Sequence, residues 1–312
     1  MFCILIYSIH HQLQQQNDWQ QSLNRIIGAI SGASTLKLIA VCLLMLVNWA
    51  LEARKWQIAI QTISPVSFVT AYKSIFSGAT MAFFTPNRTG EYIGRMLHID
   101  EESRVRSIGI TILCSIAQLT ITLVCGIIGL LFLRQFIVNG GQHGPAVILL
   151  LDILVFAIIP GTIILTIFYF RLSWLVRWMK KMPKVEKYIT YIRGLDSVNA
   201  TLLLRILSLS LIRYLVFVVQ YYFLFQVFEV EINWWQSFWS VSVLFLALAI
   251  IPTIAALTEL GIRWKASLEI LTLFSGNVAG ILATSLAIWI INLVVPALIG
   301  CVLILGLRIF RK

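Results

Sequence analysis

Glu91 and Arg95, and again Glu259 and Arg263, are the residues whose types and spacing are suited to chemistry in this chain. They close two runs of the same grammar. The first reads Phe84-Thr85-Pro86-Asn87-Arg88-Thr89-Gly90-Glu91-Tyr92-Ile93-Gly94-Arg95, and the second Ile251-Pro252-Thr253-Ile254-Ala255-Ala256-Leu257-Thr258-Glu259-Leu260-Gly261-Ile262-Arg263. Each passes from an apolar stretch through a proline and a threonine into Glu-x-x-x-Arg. Four residues apart on a helix, the two side chains of each pair share a face, with Cβ atoms about 5–6 Å apart. One reading is structural: threonine caps a helix start, the glutamate meets the positive end of the dipole, and the arginine pairs back to it. The other is functional, because ionisable groups set among apolar membrane segments are costly and mark sites of binding or transport.

The surroundings are membrane by composition. Of the 312 residues 59% are hydrophobic and 12% charged, and the mean hydropathy is +0.91. Apolar stretches of about 20 residues, each able to cross a core of roughly 30 Å, recur from end to end. The expectation is a single integral membrane domain over 1–312, all-α and polytopic. A net charge of +11 does not point to nucleic acid, since the basic residues gather in loops between apolar spans as the positive-inside rule requires. Cys3, Cys42, Cys114, Cys125 and Cys301 lie in apolar runs without paired spacing, so neither disulfides nor a zinc site is expected. His10, His11, His98 and His143 form no metal motif, and no phosphate-binding loop or nucleophile turn is present. Neither cofactor nor metal is expected.

Residues 1–35 read as an interfacial segment or a shortened first helix: a short apolar run followed by a glutamine-rich stretch. Residues 36–51 form the first span, closed by Glu52, Arg54, Lys55 and Trp56 as a basic, aromatic cytoplasmic flank. A helix restarting after Pro65 runs to Phe84 and breaks at Pro86 and Gly90. A span over 107–133 follows, completing a first repeat (36–133). Residues 147–170 return inward with a kink at Pro160-Gly161, and the connecting unit 147–193 ends in a basic stretch from Arg171 to Arg193 that suits anionic headgroups. The second repeat (199–312) opens with a span over 199–228. Arg213 lies about 21 Å along its axis, too deep to reach the interface, and Gln220 shares its face. A further break falls at Pro252 and Gly261, and the last span carries Asn292 and Pro296.

The two repeats then have opposite orientation, with one broken hairpin entering from each side. The charge pattern leaves open whether each hairpin is re-entrant or crosses twice. Inverted repeats with discontinuous helices place a polar cavity near the midplane. The expected lining is Arg88, Glu91, Arg95, Arg213, Glu259 and Arg263. This topology predicts that single cysteines at Asn139 and Asn233, in a background without native thiols, react with an impermeant reagent from outside. Those at Lys181 and Lys312 should react only from the cytoplasm. Labelling of 139 and 181 from one side would mean an even number of crossings between them and would sink the inverted arrangement.

Pro86-Asn87-Arg88-Thr89-Gly90-Glu91 with Arg95, and Pro252 with Glu259-Leu260-Gly261-Ile262-Arg263, resemble the two motifs of the lysylphosphatidylglycerol synthase transmembrane family. That family includes the membrane half of the multiple peptide resistance factor, associated with moving aminoacylated phospholipid between leaflets. The resemblance covers most of the chain from residue 36 on. It departs at Thr253 to Thr258, where the family usually shows glycines, and no aminoacyl-transferase domain is expected after Lys312. What it implies is a lipid or lipid-linked substrate translocator of the inner membrane with a cytoplasmic C-terminus, without synthase or other enzymatic activity. Arginines and half-helix N-termini would hold a phosphate, while Glu91 and Glu259 would hold a cationic headgroup or carry protons. The expected partners are membrane lipids and not nucleic acid, with homo-oligomerisation left open. The rival expectation is a non-transporting accessory or scaffold protein of an envelope lipid or glycan pathway, in which the motifs only staple the hairpins.

Overall fold

Ser67, Asn199, Asn233 and Asn277 each accept a hydrogen bond from the backbone N–H three residues on, and a helix begins after each of them. Such caps satisfy donors that a helix start leaves unpaired. At Asn233 the Gln236 side chain returns the bond, making a capping box. The computed structural model describes residues 34–140, 145–172, 198–252 and 256–310, with isolated positions elsewhere. Most of the glutamine-rich segment and of the basic stretch 171–193 lies outside the described residues, as do residues 253–255 after the Pro252 break.

The described elements are helical throughout: α1 (Thr35–Ile60), α2 (Phe68–Phe83), a tight turn (Pro86–Arg88), α3 (Gly90–Met96), α4 (Glu101–Gly140), α5 (Pro145–Phe170), α6 (Ala200–Val227), α7 (Trp234–Ile250), α8 (Ala256–Leu271), α9 (Val278–Trp289), a widened turn (Ile290–Val294) and α10 (Val295–Phe310). Among the described residues, five helical stretches are long and apolar enough to cross a membrane: α1, α4, α5, α6 and the α9–α10 rod. The protein is an all-α, multi-pass membrane protein. The remaining arms are shorter. At 1.5 Å per residue, α2, α3, α7 and α8, with 16, 7, 17 and 16 residues, extend about 24, 10, 26 and 24 Å, against about 30 Å of hydrocarbon.

Packing follows the small residues. In lipid, helices associate by close contact and hydrogen bonding rather than by water exclusion. Gly126 and Gly129 of α4 press on Leu246, Trp239 and Ser242 of α7, while Gly300 of α10 presses on the Phe76 carbonyl and Thr80 hydroxyl of α2. Thr80 donates to the Ala297 carbonyl at 2.7 Å, and the Tyr214 hydroxyl donates to Ser242 at 2.7 Å. The α1–α6 contact is the most extensive between any two elements. By contrast α5 leaves Leu149, Leu150, Phe156 and Ile164 exposed, a face suited to lipid, and an Arg134–Asp152 ion pair ties it to α4.

One local expectation differs from the structure. The polar group after residue 51 does not end the first span: α1 continues to Ile60 with Glu52, Lys55 and Trp56 buried, because each finds a partner in a neighbouring helix, the Trp56 ring N–H donating to Thr111 at 3.1 Å. Pro160 lies within a continuous α5, as membrane helices tolerate. In the last span the helix widens over Ile290–Val294 just before Pro296, accommodating the missing N–H of the proline.

Candidate functional site

Asn87 and Arg88 adopt φ of 48° and 59°, the left-handed region that side-chain-bearing residues enter at a cost on the order of 1–3 kcal/mol. Such strain persists only where the surroundings impose it. Here Pro86 opens the tight turn, and the Thr85 hydroxyl accepts the Gly90 N–H at 2.7 Å. Gly90 lies so close to the Met81 carbonyl that a Cβ would overlap it. Gly90 therefore sits at the break, as the sequence led us to expect. Gly261 does not: it is inside α8 with open space around it, so a helical position rather than a bend is what that glycine occupies.

The turn starts α3 so that Arg95 folds back over Gly78 and is buried to 2% exposure. Its Nη2 donates to Glu52 at 2.8 Å and also to Glu91 one helical turn earlier. Glu52 is a hub. Its other oxygen lies 2.6 Å from Lys55 Nζ and 3.1 Å from Arg213 Nη1. Glu91 in turn lies 3.8 Å from Arg88 Nε. Arg213 donates to Asn48 at 2.7 Å, and its guanidinium faces the rings of Trp49 and Phe217 at 5.7 and 5.4 Å, within cation–π range. It stands near the middle of the 28-residue α6, so the network sits far from either end of that helix.

Across from it Arg263, also buried, donates to Glu259 at 2.6 Å and to the hydroxyl of Tyr221 on α6. The two groups obey one rule: each arginine bonds the glutamate one turn back and an acceptor on a long helix, Glu52 of α1 or Tyr221 of α6. Their sequence separations match. The glutamates (91 and 259) and the arginines (95 and 263) are equally far apart, and the acceptors (52 and 221) differ from that by one position.

Between the two groups lies a cavity of about 240 Å³ whose polar lining is Arg88, Gln118, Thr122, Arg213, Glu259 and Arg263 and whose apolar lining includes Phe217, Phe245, Leu248 and Ala249, with Tyr214 beside them. Four of the six residues expected from sequence thus line one cavity. Glu91 and Arg95 are not among its lining residues and hold Arg88 and Glu52 from behind. Sequence reasoning missed Asn48, Glu52, Lys55 and Tyr221 as members of the site. The spacing of Asn48, Glu52 and Lys55 along one helical face was the available signal. A scan against protein-family models finds no match for the chain, and neither does a search of curated proteins.

Proposed function

We propose that the chain moves a lipid with an anionic headgroup between membrane leaflets through this cavity. One observation carries the reading: three arginines from the hairpin turn, α6 and α8 meet an apolar wall at mid-helix depth. Guanidinium groups suit phosphate oxygens, and the wall suits the start of an acyl or prenyl chain. At about 240 Å³ the cavity lies below the roughly 300–1,000 Å³ of sites that engulf a whole drug-sized ligand. It suits a headgroup whose chains stay in the bilayer.

An inverted-repeat architecture supports the same reading. If α1, α2–α3 and α4 correspond to α6, α7–α8 and α9–α10, then α4 on α7 and α10 on α2 are equivalent contacts. Both are made through glycines, and α1 on α6 is the contact across the axis. Arms too short to span favour re-entrant hairpins over double crossings, the arrangement that puts breaks at a midplane site. The resemblance of the two motifs to the lysylphosphatidylglycerol synthase transmembrane family points in the same direction. On this reading the protein is a transporter rather than an enzyme, sits in the inner membrane and keeps its C-terminus in the cytoplasm.

The test is lipid exchange, resolved by leaflet, in vesicles containing the purified protein or its Glu259→Gln variant. The variant should fold, since Arg263 keeps Tyr221, but it leaves the Arg263 charge uncompensated in the cavity. A unit charge about 6 Å from a bound anion, at an effective dielectric of about 20, is worth about 3 kcal/mol, or on the order of a hundredfold in affinity. Release, and with it exchange, should slow by at least about tenfold. Glu91→Gln should do less, because Arg95 retains Glu52. Wild-type exchange by both stable variants would remove the carboxylates from the site, and absence of exchange by the wild type would leave the accessory, non-transporting role.

A further inference from the structure

The ion pairs around Glu52 do not close. Among the described residues, Lys55, Arg88, Arg95 and Arg213 are joined through only two carboxylates, Glu52 and Glu91, so this network carries two positive charges in excess. The second group adds nothing, because Glu259 neutralises Arg263. The excess has a definite outlet. The Lys55 and Arg95 side chains are sealed at 1% and 2% exposure, whereas those of Arg88 and Arg213 retain 42% and 14% and both line the cavity. Arg88 and Arg213 each share a carboxylate with a more deeply buried cation, so the excess charge of the network faces one small space among membrane helices, where unbalanced charge is strongly unfavourable.

We propose that this cavity takes a dianionic phosphate monoester carried on a lipid, an assignment that rests on reading the cavity as a lipid-headgroup site. A phosphodiester headgroup brings one negative charge and leaves one guanidinium unbalanced. A zwitterionic headgroup leaves both, and an aminoacylated one adds to the excess. A monoester carries about −1.5 to −2 at pH 7 and three strong acceptor oxygens, which matches two guanidinium groups in charge and their paired N–H donors in geometry. Phe217, Phe245 and Leu248 on the apolar wall assign the remainder of the ligand to a hydrocarbon chain rather than to water.

The experiment uses the full chain in nanodiscs of phosphatidylcholine doped with either phosphatidic acid, the monoester probe, or phosphatidylglycerol, the diester probe. Binding is read from tryptophan fluorescence and thermal shift. Phosphatidic acid should bind at least about tenfold tighter than phosphatidylglycerol at pH 7.5. That preference should shrink as pH falls below about 6, where the monoester gains a proton. Arg88→Gln should reduce the preference to within about threefold. This position is the safe one to change, since the Arg88 side chain keeps 42% exposure and, among the described residues, its one ion pair is the 3.8 Å contact with Glu91. Equal binding of the two lipids by the wild type, or an unchanged preference in Arg88→Gln, would overturn the dianion assignment while leaving a lipid site intact. Inorganic phosphate binding as tightly as phosphatidic acid would overturn the assignment to a lipid. Tight, pH-dependent binding of phosphatidic acid without leaflet exchange of any lipid would support this proposal and refute translocation.

Discussion

Glu52→Gln should be among the most damaging single substitutions in the protein, although glutamine keeps the shape of the side chain. Glu52 is 4% exposed and serves three cations at once: Lys55, Arg95 and Arg213. Removing one member of a buried ion pair costs about 3–5 kcal/mol, because the partner is left charged and unanswered. Here the loss should appear as a large drop in folded yield and in the thermal unfolding midpoint of the detergent-purified protein. The rescue is specific. Lys55 is 1% exposed, and its other polar contact is the Cys114 carbonyl at 3.5 Å, so adding Lys55→Met takes away one stranded charge and leaves a side chain of similar length. The double variant should recover a substantial part of the lost stability. If Glu52 were instead a flank residue at the end of a span, the single change would cost at most about 1 kcal/mol, as exposed pairs do, and Lys55→Met would restore nothing.

The same residue shows where reading the sequence stops. Glu52-Ala53-Arg54-Lys55-Trp56 after an apolar run reads as the interface end of a span, and local pattern contains nothing to contradict that. What overrides it is Arg95, on a hairpin arm far along the chain, whose arrival makes burial of the carboxylate tolerable. The Glu-x-x-x-Arg pairs were legible because both partners lie on one helix face at a fixed spacing. The span read over 199–228 matches α6 because its start is set locally, by Asn199 accepting from Leu202 N–H at 2.8 Å. Tyr221 could not be singled out, since one tyrosine in an apolar helix looks like any other until Arg263 is placed beside it. The crossing mode of the hairpins was undecided for a different reason. Flanking charge gives the same parity for both options. The glycines of α4 and α10 were equally silent, because a glycine in an apolar run has meaning only through the atom it lets approach.

Gly300→Ala should lower stability by about 1–3 kcal/mol, the range for forcing an extra methyl into a packed contact. This runs against the roughly 1 kcal/mol that alanine gains over glycine in a helix interior. The reason is what the new Cβ would meet: it would overlap the Phe76 carbonyl and the Thr80 hydroxyl, and a backbone carbonyl inside α2 has nowhere to move. Gly126→Ala probes the contact of α4 with α7, where the added Cβ comes 2.7 Å from the side chain of Leu246. That side chain can shift, so the loss there should be smaller though of the same sign. Gly306→Ala is the control, with nothing within 4 Å of an added Cβ, and should be neutral or stabilising through propensity alone. Thermal unfolding of the three variants in one detergent gives the ordering. If Gly300→Ala melts with the wild type, α10 does not rest on α2 in the membrane. The hairpin carrying Arg88 and Arg95 would then lose the rod packed on its first arm, and with it the geometry that brings Arg88 and Arg213 to one cavity.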